Sequence, residues 1–247
     1  MITVLILGGT SEAASLAEVL SDDSTFRVIT SLAGRTNNPR TPSGEMRVGG
    51  FGGIVGLTDY LRDRGIDAVI DATHPFARQM SVHAAAACQE LAIPRLYLAR
   101  ASWVRQEGEV WHEVHDAEEA AVNVKELGHR VFLSSGHQDL DVFAKLDDHW
   151  FLIRTVEPIV GITPKHWHWV QARGPFSKDN EIDLLREHHI DVVVTKASGG
   201  KATYAKIAAA RQLGLPVIMI KRPAPPDGPK AESLNAAQTW LQRQVTG

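Results

Sequence analysis

"VLILGGTSEA", Val4–Ala13, runs from four apolar residues into two glycines, two hydroxyl residues and an acid. A buried strand that turns sharply into a helix N-terminus reads this way, because backbone amides and the helix dipole there favour an anion. Gly8 and Gly9 allow close backbone approach. Thr10 and Ser11 serve equally as phosphate ligands or as N-caps, with Glu12 in the first helical turn. The dinucleotide pattern G-x-G-x-x-G is met only in part, since Ala13 closes the run. From this loop alone, a cofactor turn and an ordinary strand-to-helix turn both stay open.

Outward from that turn the same grammar repeats. Strands are expected at Thr3–Leu7, Arg27–Ser31, Met46–Val48, Ala68–Asp71 and Arg95–Leu98, with helices near Glu12–Leu20, Ile54–Arg64 and Gln79–Leu91. Such alternation predicts parallel βαβ units, a sheet covered by helices on both faces. The pattern blurs through "SWVRQEGEVWHEV", Ser102–Val114, and resumes with "DAEEAAVNVKEL", "RVFLSSG", "WFLIRT", "HWHWVQA", "NEIDLLREHH", "DVVVTKASGG", "TYAKIAAARQLG" and "PVIMIKRP". The turn-rich "KRPAPPDGPK" and a helix from about Ala231 to Arg243 close the chain. The expected organisation is two α/β domains, residues 1–104 and 105–247.

The end of the second strand carries information about the nucleotide. An acid there accepts from a ribose 2′-hydroxyl, whereas an arginine nearby suits a 2′-phosphate. Here Ser31 stands in place of the acid and Arg35 follows, which favours NADPH over NADH. The alternative for Arg35 is a solvated loop cation. "GGFGG", Gly49–Gly53, is either backbone passing close to a ligand or a tight turn into the next helix.

Open α/β sheets bind ligands at the carboxyl ends of their strands. "DATHPFARQ" follows the strand ending at Asp71 and places His74 and Arg78 at that edge; His74 is either a proton donor or a structural hydrogen-bonder. In the second half Lys196, Ser198, Gly199, Gly200, Lys201 and Thr203 form an anion cradle leading into a helix. Their spacing departs from G-x-x-x-x-G-K-[ST] and disfavours nucleotide hydrolysis. "IRTVEP" puts Arg154 at another strand end. The imidazoles of "HWHW", His166–Trp169, alternate as in a half-buried strand and lack a third ligand by spacing, so no metal is expected there.

Composition bounds the rest. The 247 residues are 44% hydrophobic and 22% charged, with a formal net charge of -3, which gives no global reason to expect nucleic acid. No apolar run is long enough for a bilayer and no basic leader precedes the first strand, so a soluble cytoplasmic protein is expected. The single Cys88 excludes an intramolecular disulfide, and its helical setting predicts a buried, inert thiol.

The ordered set "ILGGTSEA", "SLAGRT", "VGGFGG", "IDATHPFA", "ARGPFS" and "TKASGGKATYAKIAAARQLGLPVIMIKRP" resembles the precorrin-6A reductase family of cobalamin biosynthesis over nearly the whole chain. The resemblance implies two Rossmann-like domains with the active site in the cleft between them. It implies NADPH-dependent reduction of a ring D double bond in precorrin-6A to give precorrin-6B. The partner implied is a tetrapyrrole with many carboxylates, handed over to neighbouring pathway enzymes, and any cobalt arrives within the ring rather than at a protein metal site. Gly8, Gly9, Thr10, Ser11, Ser31 and Arg35 are the expected coenzyme residues, with Lys196, Gly199, Gly200 and Thr203 as contacts from the second half. Arg78, Arg154 and Lys201 are expected on the substrate side, and His74 as the acid. Two alternatives remain: a cobalt-precorrin-6A reductase, and a non-catalytic two-lobed binding module for an anionic metabolite.

Overall fold

The structure, a computed structural model, describes residues 1–34, 41–161 and 164–246. Arg35 therefore lies outside the described residues. Two compact units form: Met1–Ala101 together with Pro223–Gly247, and Ser102–Arg222.

Unit 1 begins with β1 (Ile2–Leu7), α1 (Ser11–Ser21), β2 (Phe26–Leu32), β3 (Glu45–Val48), α2 (Gly53–Asp63), β4 (Ala68–Asp71), α3 (Arg78–Glu90) and β5 (Arg95–Leu98). The apolar run of β1 is uninterrupted because both sheet faces are covered, so successive side chains enter different cores. Val4 and Ile6 pack with Leu16 and Leu20 of α1, whereas Leu5 and Leu7 pack with Leu57 and Leu61 of α2 and Ala84 and Cys88 of α3. Cys88 is buried, and loss of hydration pushes its thiol pKa up to about 12, as an inert core thiol requires.

Unit 2 contains β6 (Trp111–Val114), α4 (Ala117–Leu127), β7 (Arg130–Ser134), a 3-10 turn (His137–Asp139), α5 (Leu140–Phe143), β8 (Trp150–Thr155), β9 (Trp167–Gln171), α6 (Lys178–Glu187), β10 (Val192–Lys196), α7 (Ala205–Leu213) and β11 (Val217–Ile220). Phe132, Leu152 and Val193 from the sheet meet Ile182 and Leu185 of α6 and Ile207 of α7 in one core. The chain then returns to unit 1 with β12 (Lys230–Ala231) and α8 (Leu234–Thr246).

That return corrects the expected second domain of 105–247. Tyr97 N–H donates to Pro229 O and Ala99 N–H to Ala231 O, adding β12 to β5 as an edge strand. Ala237 and Leu241 of α8 are fully buried against α1. The apolar stripe of the last helix thus completes the first core.

Every described pairing is parallel, and the sheet orders are β3-β2-β1-β4-β5-β12 and β9-β8-β7-β10-β11-β6. The order reverses direction between β1 and β4 in unit 1 and between β7 and β10 in unit 2, where β6, from earlier in the chain, adds to the far edge beside β11. In a doubly wound sheet the ligand crevice opens at the carboxyl ends of that strand pair. Both units are doubly wound, so each contains one such point.

Candidate functional site

In unit 1 the switch point is formed by the turn after β1 and the loop after β4. Gly8 N–H donates to Ser31 O (2.9 Å), and a Cβ at Gly8 would stand 3.0 Å from the Thr30 methyl, so a side chain there would require β2 to give way. Gly9 has φ +104°, and a Cβ there would have no protein atom within 4 Å. The turn therefore presents bare backbone to open space ahead of α1, a geometry that suits a pyrophosphate.

The Thr10 hydroxyl is used by the fold itself. Its Oγ1 caps α1 by accepting from Ala13 N–H (3.1 Å) and donates to Ala72 O (2.8 Å), tying the β1 turn to the β4 loop. Ser11 is exposed, with Oγ donating to Glu12 Oε2 (3.0 Å). Glu12, at the N-terminus of α1, forms a fork with Arg100, Nε to Oε1 at 2.9 Å and Nη2 to Oε2 at 2.6 Å. Burial alone would raise the Glu12 pKa, but the hydrogen bonds and charge of Arg100 outweigh it and leave the carboxyl below its usual value.

A negative group at this helix end opposes a second anion, and Arg100 neutralises it. Arg100→Ala is accordingly expected to weaken binding of a pyrophosphate-bearing ligand at this turn about fivefold, the effect of about 1 kcal/mol of unscreened repulsion at intermediate dielectric. Glu12→Gln added to Arg100→Ala should restore binding, as read by fluorescence titration. A loss that persists in the double variant would contradict this role.

At the β2 and β3 ends, Ser31 is buried and its Oγ accepts from Arg47 Nη1 (2.9 Å). Arg47 also donates to Gly49 O (2.8 Å) and Gly50 O (3.0 Å), and its guanidinium lies 3.8 Å over the Phe51 ring. Sequence reading missed this arginine. Its signal was the register of "EMRVGGFGG", in which Arg47 pairs directly with Ser31. Of the two readings of the glycine segment the structure bears out the turn: Gly52, at φ +82°, leads into α2, and Cβ atoms at Gly49, Gly50, Gly52 and Gly53 would meet only open space.

The β4 loop starts at Asp71, fully buried, whose Oδ1 accepts from Thr73 N–H and Oγ1. His74 follows, half-buried, with Nδ1 accepting from Phe76 N–H (3.3 Å). That bond assigns the proton of the neutral ring to Nε2. Arg78 is exposed at the first turn of α3.

In unit 2 the switch point brings Lys196, at the end of β10, within 2.8 Å of Asp139 in the turn after β7. The glycine loop beyond it is anchored from three sides. Trp103 Nε1 donates to Gly200 O (2.6 Å), Tyr204 OH donates to Glu109 Oε1 (2.5 Å) and Lys206 Nζ donates to Thr203 O (2.8 Å). Gly199 is buried, Thr203 half-buried and Lys201 exposed. Burial and the Glu109 carboxylate push the Tyr204 pKa up to about 12.

Arg154 is the expectation that the structure overturns. It is buried in a forked pair with Glu181, Nη2 to Oε2 at 2.8 Å, and its guanidinium lies 3.7 Å over Phe176 and 4.8 Å over Phe132. A substrate carboxylate would have to displace Glu181 from the core, so Arg154 is a packing element of unit 2.

Lys206 lies beside that pair, and burial lowers its pKa to about 7, with Arg154 adding to the fall and Glu181 opposing it. Between about pH 7 and pH 10 the unfolded chain holds this proton and the folded chain does not. Unfolding then takes up a proton, and stability rises with pH across that window. Lys206→Met is expected to remove a slope of up to ~1.4 kcal/mol per pH unit from urea unfolding measured at pH 7 to 10. An unchanged slope would show that Lys206 is charged in the folded protein.

Residues 3–242 match the family model "Precorrin-6x reductase CbiJ/CobK". A precorrin-6A reductase from Rhodococcus erythropolis is 46% identical over 242 residues, 98% of either chain. A cobalt-precorrin-6A reductase from Priestia megaterium is 32% identical, over 89% of this chain and 90% of the other. A solved structure of "CobK precorrin-6A reductase" is 43% identical, covers 99% of this chain and 97% of that one, and superposes with a TM-score of 0.93. Two parallel sheets with a glycine turn at the switch point, matched end to end, leave one conclusion: the chain belongs to the precorrin-6x reductase family.

Proposed function

We propose that this protein reduces a ring D carbon–carbon double bond of precorrin-6A, with NADPH as reductant, giving precorrin-6B in cobalamin biosynthesis. The observation that carries the reading is the 46% identity to a precorrin-6A reductase along 98% of both chains. The lower identity to the cobalt-precorrin-6A reductase, 32%, favours the metal-free ring as substrate.

The residues of unit 1 fit the coenzyme. Backbone at Gly8 and Gly9 and the first turn of α1, with Thr10 and Ser11, would hold the pyrophosphate, while Ser31 and Arg47 would take the ribose 2′-phosphate. When bound, NADPH supplies a hydride to the ring carbon. In this reading Lys196, Gly199, Gly200 and Thr203 are anion contacts within unit 2, and the exposed cations Arg78 of unit 1 and Lys201 of unit 2 each suit a substrate carboxylate. His74 acts as the acid only after taking up a second proton at Nδ1, which releases Nδ1 from Phe76 N–H; the imidazolium then gives up its Nε2 proton to the reduced ring and returns to the neutral state. The protein otherwise holds the reactants in place and keeps water out.

Mixing enzyme, NADPH and precorrin-6A while following the nicotinamide absorbance tests this directly. Oxidation of NADPH is expected with the metal-free ring, and slower oxidation with its cobalt complex. Binding of NADPH without oxidation in either mixture would replace the reductase with the non-catalytic binding module.

A further inference from the structure

Away from the strand ends that carry the proposed reductase site, His129, Asp148 and His149 cluster at the amino edge of the second sheet. His129 immediately precedes β7 and His149 immediately precedes β8, and Trp150 N–H donates to His129 O (2.8 Å), so the two strand starts are held side by side. One ring nitrogen from each histidine and one Asp148 oxygen lie within 4.8 Å of one another. The imidazoles are 4.9 Å apart between centroids. His149 is only 2% exposed; its Nδ1 lies 2.6 Å from Asp148 Oδ1, and its Nε2 is buried with no hydrogen-bond partner among the described residues.

A core position that only needs filling is served better by an apolar residue, since a buried nitrogen left unpaired forfeits its hydration without a replacement hydrogen bond. What this imidazole does that an apolar side chain cannot is offer a ligand atom beside two others. We propose that His129, Asp148 and His149 bind a zinc ion that ties the start of β7 to the start of β8. Two imidazoles and one carboxylate form a borderline donor set with room for a water in the fourth tetrahedral position. At bond lengths of about 2.0–2.2 Å the donors of such a site stand about 3.3 Å apart. His129 and Asp148 are exposed and can rotate to reach that spacing, the 2.6 Å Asp148–His149 contact opening as the ion enters, while His149 stays fixed in the core. The ion adds a second link to a strand pair already joined by backbone hydrogen bonds, and it takes no part in hydride transfer. The proposal therefore stands apart from the coenzyme reading.

The test uses the full chain without an affinity tag, stripped with a chelator and then titrated with zinc chloride against a chromophoric zinc indicator. One ion per chain is expected, and at 100 times its dissociation constant the unfolding temperature should rise by about 5–10 °C. His129→Gln and Asp148→Asn, both at exposed positions, should each weaken zinc binding at least tenfold and abolish the thermal shift, with little change in the metal-free unfolding temperature. His188→Gln, in the neighbouring His168–His188 pair, should leave binding intact. Absence of stoichiometric binding, binding that survives both His129→Gln and Asp148→Asn, or binding lost in His188→Gln would overturn the proposal.

Discussion

Arg154→Ala should lower the unfolding free energy by about 3–5 kcal/mol, the cost of leaving one member of a buried ion pair without its partner. The Arg154 and Glu181 side chains are 5% and 2% exposed, so water cannot take the place of the lost guanidinium. The truncation also leaves space between Phe176 and Phe132, the two rings that flank the guanidinium. Replacing both ends with apolar residues, Arg154→Met with Glu181→Leu, should recover most of the loss, since no buried charge then remains. Urea unfolding of the full chain reads both effects. A loss below about 1 kcal/mol for Arg154→Ala, joined to a raised KM for the tetrapyrrole, would instead return Arg154 to the substrate side.

The second large effect concerns the nucleotide. Arg47→Ala is expected to weaken NADPH binding about tenfold to a hundredfold, as loss of charge-assisted hydrogen bonds to a phosphate would, while NADH binding changes by less than about twofold. The guanidinium is held flat by Phe51 and braced by the Gly49 and Gly50 carbonyls at the strand end where the ribose is read in doubly wound folds. Arg47→Lys should fail to rescue, because an ammonium has neither the planar fork nor the stacking face. Arg35→Ala supplies the comparison, since the sequence pointed to that residue first. Equal losses for NADPH and NADH in Arg47→Ala, or selectivity lost only in Arg35→Ala, would remove Arg47 from the role.

Where side chains enter a covered sheet, the sequence was readable. The β1 run, the strand ending at Asp71 and the "DVVVTK" strand are continuous apolar segments because helices cover both faces, and all three were placed within a residue or two. Edge strands were less legible. Trp111–Val114 reads as a mixed loop because it is an edge strand in which only Val114 is buried, and Lys230–Ala231 is too short for any period to register. The return of α8 to unit 1 was also hidden, since an amphipathic helix declares that it has an apolar face but not which core receives it.

At the site, the glycine turn was legible from residue type, as was the Thr10 cap. The roles of Arg154 and Arg47 were not. An arginine at a strand end looks the same in sequence whether its side chain turns into the core, as Arg154 does toward Glu181, or lies along the edge, as Arg47 does beside Ser31. The deciding partner in the first case is 27 residues away, and in the second it lies on a neighbouring strand 16 residues back.

A crystal structure of the protein with NADP bound is the most direct test, because five adjacent strands follow the same order in both units and each unit has its own switch point. The pyrophosphate is expected against the backbone of Gly8, Gly9 and Thr10, with the 2′-phosphate on Arg47. A coenzyme seated instead on the Ser135–Gly136 turn between β7 and β10 would contradict the account.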